Sequence, residues 1–385
     1  MSVGKIRIAV IGASYSISRS AGHSSVLKLI RHACPGCMIT VFESSRYFAR
    51  ASRETRDGTT FICIPKRRLG SQSSLLGLVL TLETFLFFIR ELVVSRPDLL
   101  HLINLDSVAI AFVYRLLVGR RCPWVYHAMD IYAYLHARNR FERRILLTLE
   151  RAIANSADLV VAVSEGFVDI LGIRTALIVY PGIVPDYVQT RKQIAGTKPD
   201  PRFRKAEGET WILCSGILHR KRGLNKIVSF ARQLGGSVKV ICTGPIAADY
   251  SKEFQDLAAR QVVKYVGFLE SHAYYALLAE CDFVAVPYDA DDYYGFAPTY
   301  KFFDALLFRK PVIATKGTRT GDEAERLGVG IAVDFSRQNS ALQAAKALRE
   351  AQAKLFTEDY YAKFAEAQIL RFTERYLGLI PQWHK

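Results

Sequence analysis

The sequence predicts an α/β protein in which two parallel-sheet domains follow one another along the chain. Its 385 residues are enough for two domains of about 150–200 residues each. Apolar, strand-like runs alternate with helical patterns up to about residue 163, and the alternation starts again near residue 211. Strands that alternate with helices form parallel sheets covered by helices on both faces. The proline-rich, charged stretch 180–208 separates the two series and predicts a linker.

The first series begins with the apolar run Ile6–Ile11, which predicts a strand over 5–11. Further strands are expected at 38–42, 61–64, 99–103, 124–127 and 159–163, and helices at 22–32, 72–94, 107–118 and 138–155. The most apolar run, Leu75–Ile89, is about 15 residues long and contains Glu83, so it is shorter than the roughly 20 residues that span a bilayer. It predicts a buried helix or a helix at a membrane surface.

The second series predicts a second sheet of the same kind. Its strands are expected at 211–215, 238–243, 262–266, 283–287, 311–315 and 331–334, followed by a helical region over 338–377. The predicted domains are residues 1–185, a linker at 186–208, residues 209–355 and a C-terminal helix at 356–385. Open parallel sheets bind ligands beyond the carboxyl ends of their strands, so candidate site residues are those that follow strands.

Charge and cysteine content indicate the surroundings of the protein. The net charge is +16, and residues 46–144 hold 16 Lys and Arg against 8 Asp and Glu. Basic side chains beside an apolar helix attract anionic lipid, so we expect peripheral membrane contact, with a solvated basic surface as the alternative. No nucleic-acid-binding motif accompanies the charge, so nucleic acid is not expected as a partner. The basic clusters are Arg46/Arg50/Arg53/Arg56, Lys66/Arg67/Arg68, Arg120/Arg121 and Arg138/Arg140/Arg143/Arg144.

The seven cysteines are scattered along the chain. Cys63, Cys214 and Cys242 lie in strand-like runs, where reduced, buried thiols are usual, so a reducing compartment is expected. The N-terminus enters a strand without a visible signal peptide, which predicts a cytoplasmic location. Cys34 and Cys37 have C-x-x-C spacing at a predicted turn, with no second pair to complete a metal site; a redox or metal role is the alternative to a structural one.

The most informative stretch runs from Ala297 to Thr315 and predicts a loop, a short helix and a buried strand. Pro298 suits the first turn of a helix, because its missing N–H would be unpaired there. Lys301 and Asp304 are three residues apart and so share one face near the helix start. The helix end and Lys301 can hold a phosphate, and Asp304 can accept hydrogen bonds from sugar hydroxyls. A nucleotide sugar supplies both groups.

This stretch resembles the nucleotide-sugar motif of the GT-B glycosyltransferases, often Pro-x-Lys-Phe-Phe-(Asp/Glu)-Ala-Leu-x-x-Gly-Lys-Pro-Val. The resemblance implies two Rossmann-like domains facing a cleft, a C-terminal helix that crosses back to the first domain, and no metal or other cofactor. It assigns the donor diphosphate to Lys301 and the ribose to Asp304, with Thr299 beside them. The sequence departs from the family at the extra residue Tyr300, at Arg309 in place of glycine, and at Phe296 in place of the usual first acidic residue.

Other donor-site residues follow from the same resemblance. Arg220, Lys221 and Arg222 follow a strand as three cations that match a diphosphate, and Arg220 and Lys221 are favoured as the pair that binds it. Phe268 is expected against the nucleotide base, or else in the core. Tyr294 is expected at the sugar, in a loop whose Asp289, Asp291 and Asp292 are also suited to Mg²⁺. Gly12 and Gly22 stand where the family has a glycine-rich loop; this loop is not GxGxxG, so a nicotinamide dinucleotide is poorly supported.

Asp130 and His127 follow the strand at 124–127 and are the predicted catalytic residues. Their segment is similar to that around the catalytic aspartate of GumK-type glucuronosyltransferases, which implies that Asp130 is the general base of an inverting transfer. In the retaining GT4 family a histidine from a similar strand end contacts the donor sugar, which would be the role of His127. The structural alternative for Asp130 is a helix N-cap. Ser164 is either a second family position or a helix cap.

The sequence therefore predicts a glycosyltransferase that moves a sugar from a nucleotide-diphospho sugar to a hydroxyl acceptor. The basic, apolar region suggests a polyprenyl- or lipid-linked glycan acceptor at the inner face of the cell membrane, as in bacterial cell-surface or exopolysaccharide synthesis. Two alternatives remain at this stage: a sugar-nucleotide epimerase of the same double fold, and a binding protein without turnover. The identity of the sugar and the nucleotide, and the stereochemistry of transfer, are left open.

Overall fold

A computed structural model describes residues 6–13, 17, 21–45, 51–65, 75–118, 122–196, 200–259, 263–290, 293–337 and 340–380. The chain divides into two compact units: unit 1 is Met1–Tyr180 with Gln368–Lys385, and unit 2 is Pro181–Ala367. Each unit is built on one sheet flanked by helices, with eight strands in unit 1 and six in unit 2. The predicted α/β class with two parallel-sheet domains is confirmed.

Unit 1 has a sheet that is parallel except at one edge. Its strands are β1 (Arg7–Gly12), β2 (Met38–Ser45), β3 (Ser52–Arg56), β4 (Thr59–Pro65), β5 (Leu99–Ile103), β6 (Trp124–Ala128), β7 (Leu159–Ala162) and β8 (Ala176–Ile178). Its helices are α1 (Ala21–Ala33), α2 (Leu75–Ser95), α3 (Val108–Val118), α4 (Tyr132–His136), α5 (Arg140–Ser156) and α6 (Glu165–Leu171). The strand order is β3-β4-β2-β1-β5-β6-β7-β8, with β3 antiparallel to β4.

The sequence missed β3 because its side chains carry no strand pattern. Ser52–Arg56 is almost wholly polar, and four of its five residues are exposed. It pairs with β4 through the turn Asp57-Gly58, where both residues have positive φ. An aspartate followed by glycine is a strong hairpin signal, and an exposed polar strand is a usual sheet edge.

The two central strands β5 and β6 position the candidate site of unit 1. Every residue of both strands is buried, because helices cover a parallel sheet on both faces. Their sequences, LLHLI and WVYHA, each contain one histidine. The register places Leu102 beside Tyr126 and Ile103 beside His127, so the carboxyl ends of the two strands lie level.

Unit 2 has an all-parallel sheet with the order β11-β10-β9-β12-β13-β14. Its strands are β9 (Thr210–Ser215), β10 (Val238–Thr243), β11 (Val263–Tyr265), β12 (Phe283–Val286), β13 (Val312–Thr315) and β14 (Gly330–Val333). Its helices are α7 (Tyr187–Ala195), α8 (Leu224–Leu234), α9 (Ser251–Ala258), α10 (Ser271–Glu280), α11 (Tyr300–Leu307), α12 (Arg319–Leu327) and α13 (Ser340–Thr357); α14 (Tyr360–Leu377) starts here and ends among the residues grouped with unit 1.

The stretch predicted as a linker, residues 186–208, is the part of the chain where the structure differs most from the prediction. Residues 187–195 of that stretch form helix α7, which belongs to unit 2 and buries Tyr187, Thr190 and Ile194. Arg191 on this helix donates to the carbonyl of Leu307 at 2.5 Å and forms an ion pair with Asp359. The flanking prolines hid a helix of only nine residues, and its packing partners lie far away in the chain.

No helix in the described part of the chain is both long and apolar enough to span a membrane. Helix α2 is the most apolar candidate of the sequence and ends at Ser95, with Phe88, Ile89 and Leu92 buried in unit 1. The basic positions Arg46, Arg50, Lys66–Arg68, Arg120 and Arg121 lie outside the described residues.

Candidate active site

Two glycines let the strand ends of unit 2 approach one another closely. Gly216 follows β9 with φ 96°, and Gly244 follows β10 with φ 123°. A Cβ atom on Gly244 would come within 2.1 Å of the carbonyl oxygen of Gly216, and one on Gly216 would come within 3.0 Å of Nζ of Lys301. Both positions therefore require glycine, and the backbone of Gly216 lies against the lysine of the predicted donor motif.

Lys301 and Arg222 converge on a single phenol. Nζ of Lys301 and Nη1 of Arg222 each lie 2.5 Å from the hydroxyl oxygen of Tyr288, to which both donate. The guanidinium carbon of Arg222 also lies 4.7 Å from the centre of that ring. Burial alone would raise the pKa of Tyr288, but the charges of Lys301 and Arg222 outweigh it, so the pKa is lowered. We call these three residues the phenol–cation cluster.

The structure brings Arg222 to Lys301, whereas the sequence favoured Arg220 and Lys221. Arg220 is 74% exposed and pairs with Glu253 at 2.8 Å, and Lys221 is also exposed. The three residues form one 3₁₀ turn, in which each residue is rotated by about 120° from the last, so neighbouring side chains leave in different directions. The sequence could not tell which of the three directions faces Lys301.

Asp304 is buried on α11, the same helix that carries Lys301. Only 6% of the residue is exposed, and Oδ2 accepts a hydrogen bond from the hydroxyl of Tyr274 at 3.1 Å. Burial raises the pKa of Asp304 to about 7, although the bond from Tyr274 and the charge of Lys301 act in the opposite direction. The carboxyl group therefore changes its charge near neutral pH, within a site predicted to hold a ribose.

Three other predicted donor residues have distinct places. Thr299 is the N-cap residue of α11 without a side-chain cap bond, and its hydroxyl oxygen lies 3.4 Å from that of Thr320. The ring centre of Tyr294 lies 4.6 Å from that of Tyr288, so Tyr294 adjoins the phenol–cation cluster. Phe268 follows β11 and is 63% exposed, which excludes the alternative that it fills the core.

The described residues give no candidate metal centre. No three His, Cys, Asp or Glu residues among them are grouped as metal ligands. Asp289 accepts a hydrogen bond from Nζ of Lys226 at 2.6 Å, while Asp291 and Asp292 lie outside the described residues. The absence of a metal requirement stays a prediction.

In unit 1, the neighbouring strands β5 and β6 bring two histidines together. Nε2 of His101 lies 3.1 Å from Nδ1 of His127, and both residues are buried. Burial lowers the pKa of His101 well below its usual value, and His127 adds to this effect. His101 was not among the sequence candidates; the signal available was a polar residue in an otherwise apolar strand.

The loop that carries Asp130 is held by the side chain of Asn104. Oδ1 of Asn104 accepts hydrogen bonds from the backbone N–H groups of Met129 at 2.9 Å and Asp130 at 3.0 Å. Asn104 itself has φ 58°, and its own N–H donates to the carbonyl of His127 at 3.0 Å. A non-glycine residue in this strained region often marks a functional site. Asp130 is thereby fixed at the end of β6 and remains partly exposed.

A buried carboxylate takes the capping role that was the alternative for Asp130. The N-cap residue of α4 is Ile131, and Glu150 of α5 accepts hydrogen bonds from the N–H groups of Tyr132 at 3.1 Å and Ala133 at 3.3 Å. Glu150 is fully buried, and burial raises its pKa, with a smaller contribution from the charge of Asp130. The sequence missed Glu150 because its contacts lie 17–24 residues away in the chain.

The remaining candidates are placed only in part. Gly12 is the buried last residue of β1, and Gly22 lies in the first turn of α1. Residues 14–16 and 18–20 between them, and the side chain of His23, lie outside the described residues. Ser164 is the N-cap residue of α6, and its side chain accepts a hydrogen bond from the backbone N–H of Phe167. It therefore has the helix-cap role that was one of its two alternatives.

Comparison with known proteins gives a family match over part of the chain and the fold of nearly all of it. Residues 19–179 match the family described as Glycosyl transferase 4-like domain. Sucrose-phosphate synthase from Thermosynechococcus elongatus is 16% identical, with a TM-score of 0.62 over 98% of this chain and 95% of that one. WaaG, a glycosyltransferase involved in lipopolysaccharide biosynthesis, is 15% identical, with a TM-score of 0.64 over 94% and 99% of the two chains.

A third solved structure similar to this chain is HepE from Anabaena in complex with UDP-glucose. It is 16% identical, with a TM-score of 0.59 over 96% of this chain and 100% of that one. No curated protein sequence matches the chain significantly. At these identities, the likeness to solved structures establishes the fold over nearly the whole length of the chain.

Proposed function

We propose that this chain, a glycosyltransferase of the GT-B fold with a Glycosyl transferase 4-like domain, moves a sugar from a nucleoside-diphosphate donor to a hydroxyl acceptor. The resemblance noted in the sequence and the class of enzyme are confirmed by these comparisons. The observation that carries the finer proposal is the phenol–cation cluster of Tyr288, Lys301 and Arg222, at the start of α11 and above Asp304.

In the proposed donor site, the diphosphate binds to Lys301 and Arg222. Among the described residues, Lys301 and Arg222 each donate one hydrogen bond to Tyr288, whereas an ammonium has three N–H donors and a guanidinium five. Hydrogen bonds from such groups to phosphate oxygens are short and strong. The same charges stabilise the diphosphate as it leaves with the electron pair of the broken C1–O bond. Asp304 accepts hydrogen bonds from the ribose hydroxyls when it is ionised.

In unit 1, we assign the role of general base to Asp130. The acceptor hydroxyl loses its proton to this carboxylate as its oxygen attacks C1 of the donor sugar. Asn104 restrains the backbone on which Asp130 stands, and Glu150 accepts hydrogen bonds from the first turn of α4. His127, three residues earlier, is assigned to the donor sugar.

For the acceptor, we propose a lipid-linked glycan at an anionic membrane surface. Helix α5 exposes Phe141, Ile145 and Leu149 at intervals of four residues, which places them on one face. Helix α3 also exposes Phe112 and Leu116. Arg138, Arg140, Arg143 and Arg144 lie at or near the start of α5. Apolar side chains flanked by arginines suit a peripheral helix on anionic lipid.

Thermal unfolding with a panel of nucleotides tests the donor site. A ligand that binds only the folded protein raises its melting temperature by mass action. We expect one nucleoside diphosphate among UDP, GDP, ADP and dTDP to raise the melting temperature of wild type and of Asp130→Ala, but not of Lys301→Ala. Lys346→Ala is the control, because Lys346 is exposed on α13 and forms only a 3.8 Å pair with Glu350. A folded wild type that responds to none of these nucleotides would contradict the proposal.

Slow hydrolysis of the matching nucleotide sugar then tests turnover. Transferases often pass the donor sugar to water when no acceptor is present, and we expect this activity in wild type but not in Asp130→Ala. Conversion of the donor to a different nucleotide sugar would indicate an epimerase instead, and binding without any turnover would indicate a binding protein.

A further inference from the structure

Strand β5 has a buried imidazole at a position where its pattern favours an aliphatic side chain. His101 is fully buried within LLHLI, with Nε2 3.1 Å from Nδ1 of His127 and its ring centre 5.7 Å from that of Tyr376. Burial of a polar ring loses its hydrogen bonds to water, so the contact with His127 has to compensate.

The contact between the two rings fixes where the hydrogens lie. Of the two nitrogens that face each other, one must carry the hydrogen and the other must accept it. Nδ1 of His101 is buried and has no hydrogen-bond partner among the described residues. If that nitrogen carried the hydrogen, a donor would be buried unpaired, which is rarer in proteins than an unpaired acceptor. The favoured arrangement therefore puts the hydrogen of His101 on Nε2.

This arrangement sets the state of His127 in turn. When Nε2–H of His101 donates, Nδ1 of His127 is the acceptor, and a neutral His127 then carries its own hydrogen on Nε2. Burial holds His101 neutral, because its pKa is lowered well below the usual value. If His127 carried hydrogens on both nitrogens, His101 would have to reverse its tautomer and bury an unpaired N–H.

We propose that His101 is a positioning residue that holds His127 in the tautomer with hydrogen on Nε2. His127 then has no unprotonated ring nitrogen left to act as the base, because Nδ1 already accepts from His101. The proton of the acceptor hydroxyl therefore passes to Asp130, a consequence that rests on the proposed function. The tautomer itself does not depend on it.

Two-bond ¹H–¹⁵N correlation spectra of histidine-labelled full-length protein test the tautomer directly. His127→Asn identifies the signals of His127 among the eight histidines of the chain. We expect Nδ1 of His127 to show the shift of an unprotonated ring nitrogen and Nε2 that of an N–H. The opposite pattern in wild type would overturn the proposal, and this measurement needs no variant of His101.

Substitution of His101 tests whether that residue sets the tautomer. In His101→Leu, we expect the ¹⁵N chemical shifts of Nδ1 and Nε2 of His127 to move towards the average of the two tautomers. In His101→Gln, the side-chain amide can still donate a hydrogen bond, so these shifts should stay nearer the wild-type values. Turnover should fall about tenfold in His101→Leu, the worth of one hydrogen bond, and recover in part in His101→Gln. Nucleoside-diphosphate affinity should not change. If His101→Leu leaves the tautomer of His127 unchanged, the proposal is contradicted. If wild-type protein does not bind a nucleoside diphosphate, only the proposed function is contradicted.

Discussion

The candidate sites of the two units differ in how the sequence assembles them. In unit 2, Lys301 and Asp304 lie on one helix, in one recognisable motif. In unit 1, the histidine pair and the restraint on Asp130 come from two strands and the loops that follow them, with partners 25–26 residues apart. A contiguous motif identifies a ligand, whereas a site assembled across strands becomes visible only when the register is known.

The two sites also differ in charge. The unit 2 site gathers the cations of Lys301 and Arg222 around one phenol, which suits an anionic ligand. The unit 1 site keeps His101 neutral and places its partly exposed carboxylate at a loop held by Asn104, which suits proton transfer. We therefore assign the proposed binding of the diphosphate to unit 2 and the proposed chemistry on the acceptor to unit 1.

The largest expected effect is on turnover, from Asp130→Asn. This change removes the base but keeps the shape of the side chain, so turnover should fall about a thousandfold. Nucleotide affinity should stay at the wild-type value, because the proposed diphosphate site lies in unit 2. Steady-state assays with calorimetry check both quantities. Asp169→Asn, an exposed carboxylate on α6, is the control. A loss of nucleotide affinity in Asp130→Asn would break the division of roles.

The next effect is on stability and comes from Asp304. Its folded-state pKa of about 7 lies above the unfolded value, so the folded state binds the extra proton between about pH 4 and pH 7. The stabilisation from this group is complete below pH 4 and is lost as the pH rises through 7. Compared with Asp304→Asn, wild type should therefore lose on the order of 3 kcal/mol of unfolding free energy between pH 4 and pH 8.

Asp359, in the same unit, provides a control of opposite sign for Asp304. Its pKa is lowered to about 2, because the ion pair with Arg191 and further hydrogen bonds outweigh burial, which acts to raise it. Its stabilisation is present above pH 4 and is lost as the pH falls through 2. Urea unfolding of wild type, Asp304→Asn and Asp359→Asn across pH checks both carboxyl groups. If the unfolding free energies of wild type and Asp304→Asn change equally with pH, the carboxyl group of Asp304 does not have the raised pKa that its burial implies.

A third expected effect concerns membrane contact and is confined to unit 1. Phe141→Ser with Ile145→Ser removes two exposed apolar side chains from α5, so binding to vesicles of anionic lipid should weaken by about 2 kcal/mol or more. Phe356→Ser is the control, because Phe356 is exposed to a similar degree, 67% against 74% for Phe141, but lies on α13 in unit 2. Cosedimentation with vesicles measures both. Equal binding by the double variant and wild type would contradict the docking surface.

The smallest expected effect is that of Tyr288→Phe. Without the hydroxyl, Lys301 and Arg222 lose their shared acceptor, so the free energy of unfolding should fall by about 1–2 kcal/mol. A diphosphate ligand replaces the lost acceptor, so the melting temperature should rise more on nucleotide binding than in wild type. Tyr265→Phe, which loses only a bond to the carbonyl of Gly244, is the control. If nucleotide binding raises the melting temperatures of Tyr288→Phe and Tyr265→Phe equally, Tyr288 is not part of the donor site.

The sequence anticipated the architecture and part of the site. The strands at 99–103 and 238–243 coincide with β5 and β10, because buried parallel strands are mostly apolar, even though His101 and Lys239 interrupt these two runs. The sequence favoured Arg220 and Lys221, whereas the structure brings Arg222 to Lys301, since a 3₁₀ turn decides which of three neighbours faces that lysine. Glu150 and His101 were missed because each acts through a partner distant in sequence. The roles of the donor and catalytic residues stay predictions.

The affinity of UDP for wild type, Arg222→Ala and Arg220→Ala, measured by titration calorimetry, tests the central claim most directly. UDP is the first nucleotide to use, because the similar Anabaena protein HepE was solved with UDP-glucose. The phenol–cation cluster predicts that Arg222→Ala weakens binding about a hundredfold, since it loses charged hydrogen bonds to the diphosphate. Arg220→Ala should bind as wild type does, because Arg220 points to Glu253. A larger loss in Arg220→Ala, or no loss in Arg222→Ala, would contradict the account.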